Sequence, residues 1–479
     1  MGVKESICEF VEEKKDLFIG VSEQVWKNPE LGFEEFKSSE IIINALIREG
    51  FQVERGIAGI GTAFRGTFGH GSPVIGFLGE YDALPSLSQQ AMTAVKQPVS
   101  EGAAGHGCGH NALGAGSLAA AVAFKDYLKK TGLPGTVVYL GCPAEESGCG
   151  KAFMAREGIF DPLDAALTWH PDSCTGIFAA SSLADYCVLF KFKGVSAHAA
   201  SSPHLGRSAL DAAELMNVGV NFLREHIIDQ ARIHYAFLDT GGSAPNVVQD
   251  SATLYYYIRA PKNSQIMEIY PRVVKIAQGA AMMTETTLTI EVKSALSDYI
   301  PNQILSSVMG ECNLELGGIQ FSRQAEEFAA AMADSISAED KGTIFEHLTM
   351  YCDPETAASY TDRVLLGKAF GYYPLSCCLP GSTDVGDVSY IVPTAQMVAT
   401  TAILGTPEHS WQLTSQANSP IAHEGLLYAG KVMAYTACRL LEEPELLEKA
   451  KAELKAAVPG GYVCPIPPEV MPEAQSQPN

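Results

Sequence analysis

The spacing of apolar residues changes along the chain and predicts its elements. Apolar residues recur at helical spacing over 7–25 and 41–47, and the second run closes at Gly50, which predicts helices in this region. Short apolar runs bounded by turn residues predict buried strands at 73–78, 136–140 and 165–169, with an alanine-rich helix at 112–128. Apolar strands that alternate with helices are typical of an α/β sheet.

The pattern changes after Ala184. Strands are predicted at 185–192, 233–238, 253–258 and 287–292, and helices at 208–225 and 266–282. The order βαββαβ is typical of a ferredoxin-like unit, and a further apolar strand at 396–403 belongs to the first sheet. We therefore expect a first domain of residues 1–184 and 298–479, interrupted by an inserted domain of residues 185–297.

Composition restricts the classes of function. The 479 residues are 47% hydrophobic and 18% charged, which is typical of a folded chain, and the length favours two domains. The net charge of -22 argues against a nucleic-acid surface, because such a surface needs clustered Lys and Arg.

The sequence shows no signal for export or membrane insertion. The start MGVKESICEF carries charges where a signal peptide needs an apolar run, and no run of about 20 apolar residues could span a bilayer. Met1, Gly2 and Ser6 fit a myristoylation pattern, which we interpret as chance. Twelve cysteines without an export signal indicate reduced thiols. We expect a cytoplasmic protein with no membrane association, and a tail from Pro459 that is mobile or lies on the surface.

Ionisable residues directly follow three of the predicted strands. Glu80 and Asp82 come after the first, Glu145 and Glu146 come after the second, and His170 ends the third. In open α/β sheets the ligand site lies beyond the carboxyl ends of the strands. The sequence therefore predicts a catalytic centre at that edge of the sheet.

Two segments could supply metal ligands and a base. In GHGCGHN, glycines allow a tight backbone, and the Cys108 thiolate and His110 imidazole can face one cation. A glycine-rich turn without metal explains this segment alone equally well. In CPAEE, one of the adjacent carboxylates of Glu145 and Glu146 can bind metal while the other acts as general base on water. Acidic residues are also ordinary at helix starts.

Two histidines complete the candidate ligand set. His170 ends a predicted strand, and His409 lies in the loop after the strand at 396–403. Either histidine alone is more typical of a structural residue. Their coincidence with the other strand-end residues favours one shared site over several unrelated ones. The candidate metal ligands are Cys108, His110, Glu146, His170 and His409.

Other polar residues could support the chemistry. Asp82 could orient a ligand imidazole or the base, although an Asp in a turn before Pro85 is also ordinary. In the inserted unit His198 follows a strand. Asn246 and Arg259 could bind substrate oxygens, with Arg259 as a bidentate carboxylate clamp. Taken singly, each of these last three is more typical of a surface or turn residue.

Several short motifs occur in order along nearly the whole chain: GEYDALP, GHGCGHN, PAEE, TWH, FKGVSAHAA, PHLGRSALDA, APNVV, IRA, STDVGDVSY and EHSWQL. Together they resemble the M20 metallopeptidase family, in the amidohydrolase branch that includes aminobenzoyl-glutamate, indoleacetyl-amino-acid and hippurate hydrolases. The stretch between Pro85 and Gly105 and the run HSWQLTSQANSPIAHEG are most similar to the B-type subunits of aminobenzoyl-glutamate hydrolase.

The resemblance implies a zinc-peptidase-like catalytic domain with a mixed sheet, and an inserted lid or dimerisation domain. It implies two divalent ions, Mn2+ or Zn2+, on the five candidate ligands, with Glu145 as general base and Asp82 as its supporting carboxylate. His198 would act as an oxyanion donor in the neighbouring subunit, and Asn246 and Arg259 would hold the substrate. The implied reaction is hydrolysis of the amide bond of a small N-acyl amino acid such as p-aminobenzoyl-glutamate. The implied assembly is a homodimer, with or without a second related subunit.

Two departures and three alternatives accompany this interpretation. Asn111 stands where many relatives have Asp, and STD at 382–384 replaces the more usual SED, but neither change removes a ligand. A dipeptidase or aminoacylase would use the same site with another pocket. An inactive metal-binding subunit is less compatible with a complete ligand set. A cysteine hydrolase built on Cys108 would need no metal.

Overall fold

The computed structural model describes residues 2–474 and shows a mixed α/β fold. The strands are, in chain order, β1 (Gln52–Arg55), β2 (Phe64–His70), β3 (Val74–Gly79), β4 (Gly135–Gly141), β5 (Ala165–Asp172), β6 (Gly176–Ile177), β7 (Ser181–Ser182), β8 (Ala184–Lys193), β9 (Arg232–Asp239), β10 (Ser251–Ala260), β11 (Thr287–Leu296), β12 (Cys378–Leu379) and β13 (Thr394–Thr400).

Sixteen α-helices come before, between and after these strands in the described part of the chain. They are α1 (Val3–Glu13), α2 (Lys15–Trp26), α3 (Phe36–Arg48), α4 (His110–Thr131), α5 (Gly150–Arg156), α6 (Ala209–Leu223), α7 (Asn263–Thr284), α8 (Gln303–Leu316), α9 (Arg323–Met332), α10 (Ala338–Gly342), α11 (Ile344–Leu348), α12 (Pro354–Ala358), α13 (Val385–Ser389), α14 (Trp411–Gln416), α15 (Pro420–Glu442) and α16 (Pro444–Ala457). Within residues 2–474 no helix is both long and apolar enough to cross a membrane.

The larger sheet is mixed, as predicted. Its strand order is β1-β2-β4-β3-β5-β13-β6. The central strands β4, β3, β5 and β13 run parallel to one another, whereas β1, β2 and β6 pair antiparallel. The carboxyl ends of the four central strands therefore meet at one edge of the sheet, where a ligand site is expected.

Helices pack closely on the sheet that carries this edge. The alanine-rich α4 is buried along most of its length, and α15 packs on it. A Cβ added at Gly430 of α15 would lie 2.8 Å from the Cβ of Ala119, so only glycine allows this approach. Strand β13 is buried at every position, because helices cover a parallel sheet on both faces.

Residues 184–296 form the smaller, antiparallel sheet with two helices. The chain order is β8, α6, β9, β10, α7 and β11, and the strand order in the sheet is β11-β8-β10-β9. Along β10, buried residues alternate with partly exposed ones, as expected when helices cover one face only. Strand β9 lies at the open edge of this sheet, with Tyr235, Phe237 and Leu238 exposed.

The structure corrects three details of the sequence prediction. The helical stretch at 7–25 breaks at Lys14, and α1 and α2 are separate. Strands β1 and β2 were not predicted, and the last strand of the large sheet ends at Thr400, three residues before the predicted end. The tail after Pro459 lies largely on the surface, which is one of the two predicted alternatives, with Ile466 buried. The myristoylation pattern includes Met1, which lies outside the described residues, as do residues 475–479.

Candidate metal centre

Four central strands place candidate residues at the predicted edge. Glu80 and Asp82 follow β3, Glu145 and Glu146 follow β4, and His170 lies near the end of β5. His409, the last of the five candidate ligands along the chain, lies in the loop after β13 and has a positive φ of 50°. The neighbouring order of these strands brings the segments together although they are far apart in sequence.

The segment before α4 supplies the thiol and the first imidazole. His110 begins α4, and Gly109 before it has a φ of 78°, which glycine adopts without strain. A Cβ at Gly109 would lie 3.0 Å from the Pro171 ring, so the loop packs directly on the strand that carries His170. The Cys108 Sγ and the His170 Nε2 are 3.4 Å apart.

Glu146 connects this group to His409. The Oε2 of Glu146 lies 3.4 Å from the Nε2 of His409, and its Oε1 lies 3.9 Å from the Nε2 of His110. Ligand atoms of Cys108, His110 and His170 all lie within 4.8 Å of one another, and so do those of Cys108, Glu146 and His409. All five candidate ligands thus fall into two overlapping groups that share the Cys108 thiol.

The donor atoms fit divalent cations. The Nε2 of His110 and the Oε1 of Glu146 are buried and have no hydrogen-bond partner. Leaving such atoms unpaired is costly, and both atoms are good ligands of a divalent cation. The two overlapping groups offer thiol, imidazole and carboxylate donors, which all bind divalent cations.

Asp82 holds two of the candidate ligands in place. Its Oδ1 accepts a hydrogen bond from Nδ1 of His110 at 2.8 Å, and its Oδ2 accepts one from the backbone N–H of Glu146 at 2.9 Å. Burial alone would raise the pKa of Asp82, but His110 lowers it below the ordinary value. The bond to Nδ1 leaves the Nε2 of His110 free to face the cluster.

His170 is oriented in the same way. Its Nδ1 lies 2.8 Å from the backbone oxygen of Pro171, to which the ring N–H donates. In the neutral ring the Nε2 is then the nitrogen with a free lone pair, and it faces the Cys108 thiol. A backbone carbonyl thus performs for His170 the task that a carboxylate performs for His110.

Glu145 lies beside the cluster but outside the two ligand groups. It is partly exposed, and its carboxylate is within 4.8 Å of ligand atoms of Glu80 and His110. Burial, and then the neighbouring carboxylates of Glu80 and Glu146, raise the pKa of Glu145 well above its ordinary value. A carboxylate with a raised pKa that remains accessible is suited to take up and return a proton.

The surroundings of Cys108 favour a metal site over a cysteine hydrolase. Burial, and then the carboxylate of Glu146, raise the pKa of the Cys108 thiol well above its ordinary value. A thiolate is needed both for nucleophilic attack and for metal binding, so this pKa does not distinguish the two roles. The other four candidate ligands around the thiol favour a metal site.

A buried ion triad next to the cluster was not predicted. The Nζ of Lys151 lies 2.6 Å from the Oε1 of Glu80 and 2.6 Å from the Oδ1 of Asp384, and all three side chains are buried. Burial alone would lower the pKa of Lys151, but Asp384 and Glu80 raise it above the ordinary value. Glu80 could be noticed as a strand-end carboxylate, whereas nothing local in the sequence indicates Lys151.

A second group of metal-capable side chains lies just beyond His170. Asp172, Cys174 and His347 have ligand atoms within 4.8 Å of one another. Asp172 already accepts hydrogen bonds from His347 at 2.7 Å and from the Tyr351 hydroxyl at 3.0 Å. We therefore interpret this group as a link that ties α11 to the end of β5. The sequence offered no signal for His347.

The three site residues predicted in the inserted segment do not bond to the candidate metal ligands. His198 and Asn246 are exposed and lie on adjoining loops, where the Ala199 N–H donates to the Asn246 backbone oxygen at 2.9 Å. Arg259 on β10 forms an ion pair with Asp185 on β8, with 3.0 Å between Nε and Oδ2. Among residues 2–474, neither His198, Asn246 nor Arg259 makes a hydrogen bond or ion pair with the five candidate ligands.

Fold and site together define a hydrolase of the metallopeptidase class, and the chain belongs to peptidase family M20/M25/M40, whose model matches residues 76–437. The chain is 44% identical over 470 residues to the B-type subunit of p-aminobenzoyl-glutamate hydrolase from Escherichia coli (strain K12), covering 97% of this chain and 98% of that protein. It is 28% identical to Xaa-Arg dipeptidase of Mus musculus, covering 95% and 92% respectively. The family and the B-type resemblance predicted from the motifs are confirmed.

Solved structures share the fold. An aminobenzoyl-glutamate utilization protein from Klebsiella pneumoniae matches with a TM-score of 0.56 at 17% identity, covering 87% of this chain and 97% of that chain. A dinuclear metal-binding peptidase of the M20 family from Bacillus subtilis matches with a TM-score of 0.55 at 16% identity, covering 91% and 99%. At these identities the likeness concerns the fold alone.

Proposed function

We propose that this protein hydrolyses the amide bond of a small N-acyl amino acid, with p-aminobenzoyl-glutamate as the leading substrate. The observation that carries the proposal is the meeting of five metal-capable side chains beside the partly exposed Glu145. The 44% identity to a p-aminobenzoyl-glutamate hydrolase subunit, over nearly the full length of both chains, supports the choice of substrate.

The proposed cofactor is a pair of divalent cations held by Cys108, His110, Glu146, His170 and His409. When bound, such ions lower the pKa of water and polarise a carbonyl group. Thiolate and imidazole ligands suit Zn2+, and carboxylate ligands also suit Mn2+. The description of the Bacillus subtilis neighbour as dinuclear supports two ions rather than one.

Glu145 is the proposed general base, with Asp82 as the supporting carboxylate. Its carboxylate takes a proton from the attacking water and later delivers it to the leaving nitrogen. The bond from the Glu146 N–H to Asp82 fixes the backbone that carries both glutamates, so Glu146 can serve as ligand while Glu145 faces the substrate. Two adjacent glutamates can thus serve as base and as metal ligand.

We propose that residues 185–297 form a ferredoxin-like lid and dimerisation domain, inserted into a catalytic domain of residues 1–184 and 298–479. The βαββαβ order supports the domain assignment. The open edge of β9 and the exposed apolar residues Leu215, Val218 and Phe222 of α6 support a surface for a second copy of the chain.

His198 is the proposed oxyanion donor, acting in the site of the second copy. Its Nδ1 accepts hydrogen bonds from the backbone N–H groups of Ala200 and Ser201, at 3.2 and 3.1 Å. In the neutral ring the proton is then on Nε2, and the exposed side chain can donate it to a developing oxyanion. This fixed tautomer favours a catalytic role over an incidental surface histidine.

Asn246 and Arg259 are the proposed contacts for the rest of the substrate. The guanidinium of Arg259 can bind a carboxylate with two parallel hydrogen bonds. Its ion pair with Asp185 holds the side chain in one direction before substrate arrives. Asn246 lies on the loop that adjoins His198, and it would bind a substrate oxygen from the same side.

The proposed additional partner is a second, related subunit, and the proposed location is the cytoplasm. The relative is named as a subunit, which supports a second, related subunit as an additional partner. A cytoplasmic location is supported by the twelve cysteines, which lie within residues 2–474 as free thiols. A dipeptidase is the second candidate function, because Xaa-Arg dipeptidase matches 95% of this chain.

A substrate panel tests the proposal. The purified chain, with its metal content measured, is assayed on p-aminobenzoyl-glutamate, hippurate, indoleacetyl amino acids and dipeptides, with and without an A-type subunit. We expect fastest turnover of p-aminobenzoyl-glutamate, in a reaction that requires divalent ions. Preference for dipeptides would favour the second candidate. Absence of hydrolysis in the metal-loaded protein, with both subunits present, would contradict an enzymatic function.

A further inference from the structure

The turn that presents the two glutamates has a strained backbone. Ala144, directly before Glu145, has a φ of 58°, in the left-handed region that side chains with a Cβ disfavour. Its carbonyl accepts a hydrogen bond from the Gly148 N–H at 2.9 Å, which closes the turn. Such a conformation persists only where surrounding groups enforce it.

Glu35 contacts this strained residue. Its carboxyl group is fully buried; Oε1 accepts the backbone N–H of Ala144 at 2.8 Å, and Oε2 accepts the Thr62 hydroxyl at 2.8 Å. Burial raises the pKa of Glu35 to about 8. A buried carboxyl group is costly, and the proposed chemistry does not use this one.

Glu35 does not serve its own helix. It precedes α3, but its side chain makes no capping hydrogen bond there. The carboxylate of Glu30 accepts the N–H groups of Lys37 and Ser38 instead, at 3.0 and 2.9 Å. Helix capping, the usual reason for an acid at this position, therefore does not explain Glu35.

The backbone of the segment before α3 lies in close contact with the backbone of the turn at 144–148. A Cβ at Gly32 would lie 2.7 Å from the Ser147 Oγ and 2.9 Å from the Ala144 Cβ. A Cβ at Gly148 would lie 2.3 Å from the ring of Phe33, which itself has a φ of 65°. The segment before α3 thus packs on the turn with no room for side chains at two glycines.

We propose that Glu35 is a positioning residue for Glu145, acting through the backbone N–H of Ala144. The hydrogen bond holds Ala144 in its left-handed conformation, and this conformation sets the direction in which Glu145 leaves the turn. Without the acceptor, the buried N–H loses its partner and the backbone can relax toward negative φ. The inference rests on the proposed role of Glu145 as base.

Three variants test the role of the carboxyl group. Glu35→Gln keeps an oxygen for Ala144 and donates an N–H to Thr62, so kcat should stay within about threefold of wild type. Glu35→Ala should lower kcat at least about tenfold, with metal content unchanged and KM nearly so, because the base is misplaced. Glu30→Ala, the matched control, weakens the start of α3 but should leave kcat within about threefold.

A double-mutant cycle distinguishes positioning from general destabilisation. Glycine adopts positive φ without strain, so Ala144→Gly should keep the turn in place without help. In that background Glu35→Ala should lower kcat by no more than about threefold. An equal loss in both backgrounds would overturn the proposal, as would wild-type kcat in Glu35→Ala alone.

Hydrogen exchange gives a readout that does not depend on turnover. In Glu35→Ala, amide exchange of a peptide covering 142–148 should become faster, while Glu30→Ala should leave it unchanged. If Glu35→Ala does not fold, Thr62→Val removes the other partner of the carboxyl group and should also accelerate this exchange. Unchanged exchange in the folded variant would overturn the inference. Failure of the proposed function would instead appear as a wild-type protein that hydrolyses no substrate.

Discussion

Asp82 and His110 share a buried hydrogen bond of 2.8 Å between Oδ1 and Nδ1. Both side chains are excluded from solvent, and the second oxygen of Asp82 accepts the N–H of Glu146. One carboxylate therefore fixes the ring of one candidate ligand and the backbone of another. The geometry of the candidate metal centre depends on a residue that is not itself among the five candidate ligands.

Asp82→Asn should weaken metal binding. An Asn side chain has one acceptor oxygen, so its NH2 group must face either the His110 N–H or the Glu146 N–H. Loss of such a supporting bond typically lowers metal affinity by about 10- to 100-fold. Competition with a chelator, followed by metal analysis, measures the change.

A control separates this effect from loss of a carboxylate that accepts a backbone N–H elsewhere in the sheet. Asp164 accepts the Val74 N–H at 2.8 Å near the opposite ends of the strands. Asp164→Asn should leave metal affinity unchanged. If Asp82→Asn binds metal as tightly as Asp164→Asn does, the supporting role of Asp82 is wrong.

Glu145→Gln should remove turnover while the protein keeps its metal. The amide has nearly the shape of the carboxylate but cannot accept the proton of water, and loss of a general base typically costs about 100- to 10,000-fold in kcat. The measurements are kcat and metal content of the same preparation. Glu157→Gln, an exposed position at the end of α5, is the control and should retain full kcat. Residual activity near wild type would show that another residue is the base.

Removal of metal distinguishes metal-dependent hydrolysis from hydrolysis by a nucleophilic Cys108. Dialysis against a chelator should abolish hydrolysis, and addition of Zn2+ or Mn2+ should restore it, because the proposed reaction depends on cations that lower the pKa of water and polarise the carbonyl group. Activity that persists at a measured metal content near zero would instead favour a nucleophilic Cys108. The ion that restores the higher kcat identifies the preferred cofactor.

The meeting of the five candidate ligands could be predicted from the sequence because parallel strands bring their ends together. Glu146 and His409 come after strands that are mostly apolar, and His170 lies near the end of another such strand. Runs of this kind are visible without a structure. The segment with Cys108 and His110 could be placed because it precedes a long alanine-rich helix. In each case the signal is local, and the sheet converts it into a shared site.

Two supporting residues, Lys151 and Glu35, could not be predicted because their partners are far away in sequence. Lys151 pairs with Asp384 and with Glu80, and Glu35 accepts the Ala144 N–H. Nothing next to Lys151 or Glu35 in the sequence indicates these partners. The missed strands β1 and β2 have a related cause, since they lie toward the edge of the sheet and lack a continuous apolar run.

The stability of the protein should depend on pH through Glu35. Burial, and then the carboxylate of Asp82, raise the pKa of Glu35 from 4.5 to about 8 in the folded chain. Between these values the folded state keeps a proton that the unfolded state releases, so the unfolded state binds fewer protons and stability falls as pH rises. This contribution is fully present below about pH 4.5 and is lost by about pH 8.

Glu35→Gln should remove this dependence, since the amide does not ionise. The Tm of the variant minus that of wild type should therefore increase between about pH 5 and about pH 8.5. Scanning calorimetry or fluorescence at several pH values measures the difference. Glu339→Gln, at an exposed position of α10, should show a constant difference. A constant difference for Glu35→Gln as well would mean that Glu35 is ionised in the folded protein.

Mixing two inactive variants should restore activity if His198 acts in the neighbouring site. His198→Ala and Glu145→Gln are each expected to be inactive as homodimers. In a mixed dimer, the His198→Ala subunit keeps its own Glu145 and receives an intact His198 from its partner, so one site of the two is complete. Random assortment gives mixed dimers in half of the population, and about a quarter of the wild-type activity is expected at equal amounts.

The physical basis is that the tautomer of His198 directs its proton outward, away from its own loop. Its Nδ1 is occupied by the N–H groups of Ala200 and Ser201, so Nε2–H is the group offered to a second chain. Subunit exchange is verified by mass photometry or by tagged copies. Phe222→Glu on the exposed face of α6, which should separate the subunits, must abolish the recovery. If exchange occurs and the mixture remains inactive, His198 does not act across the interface.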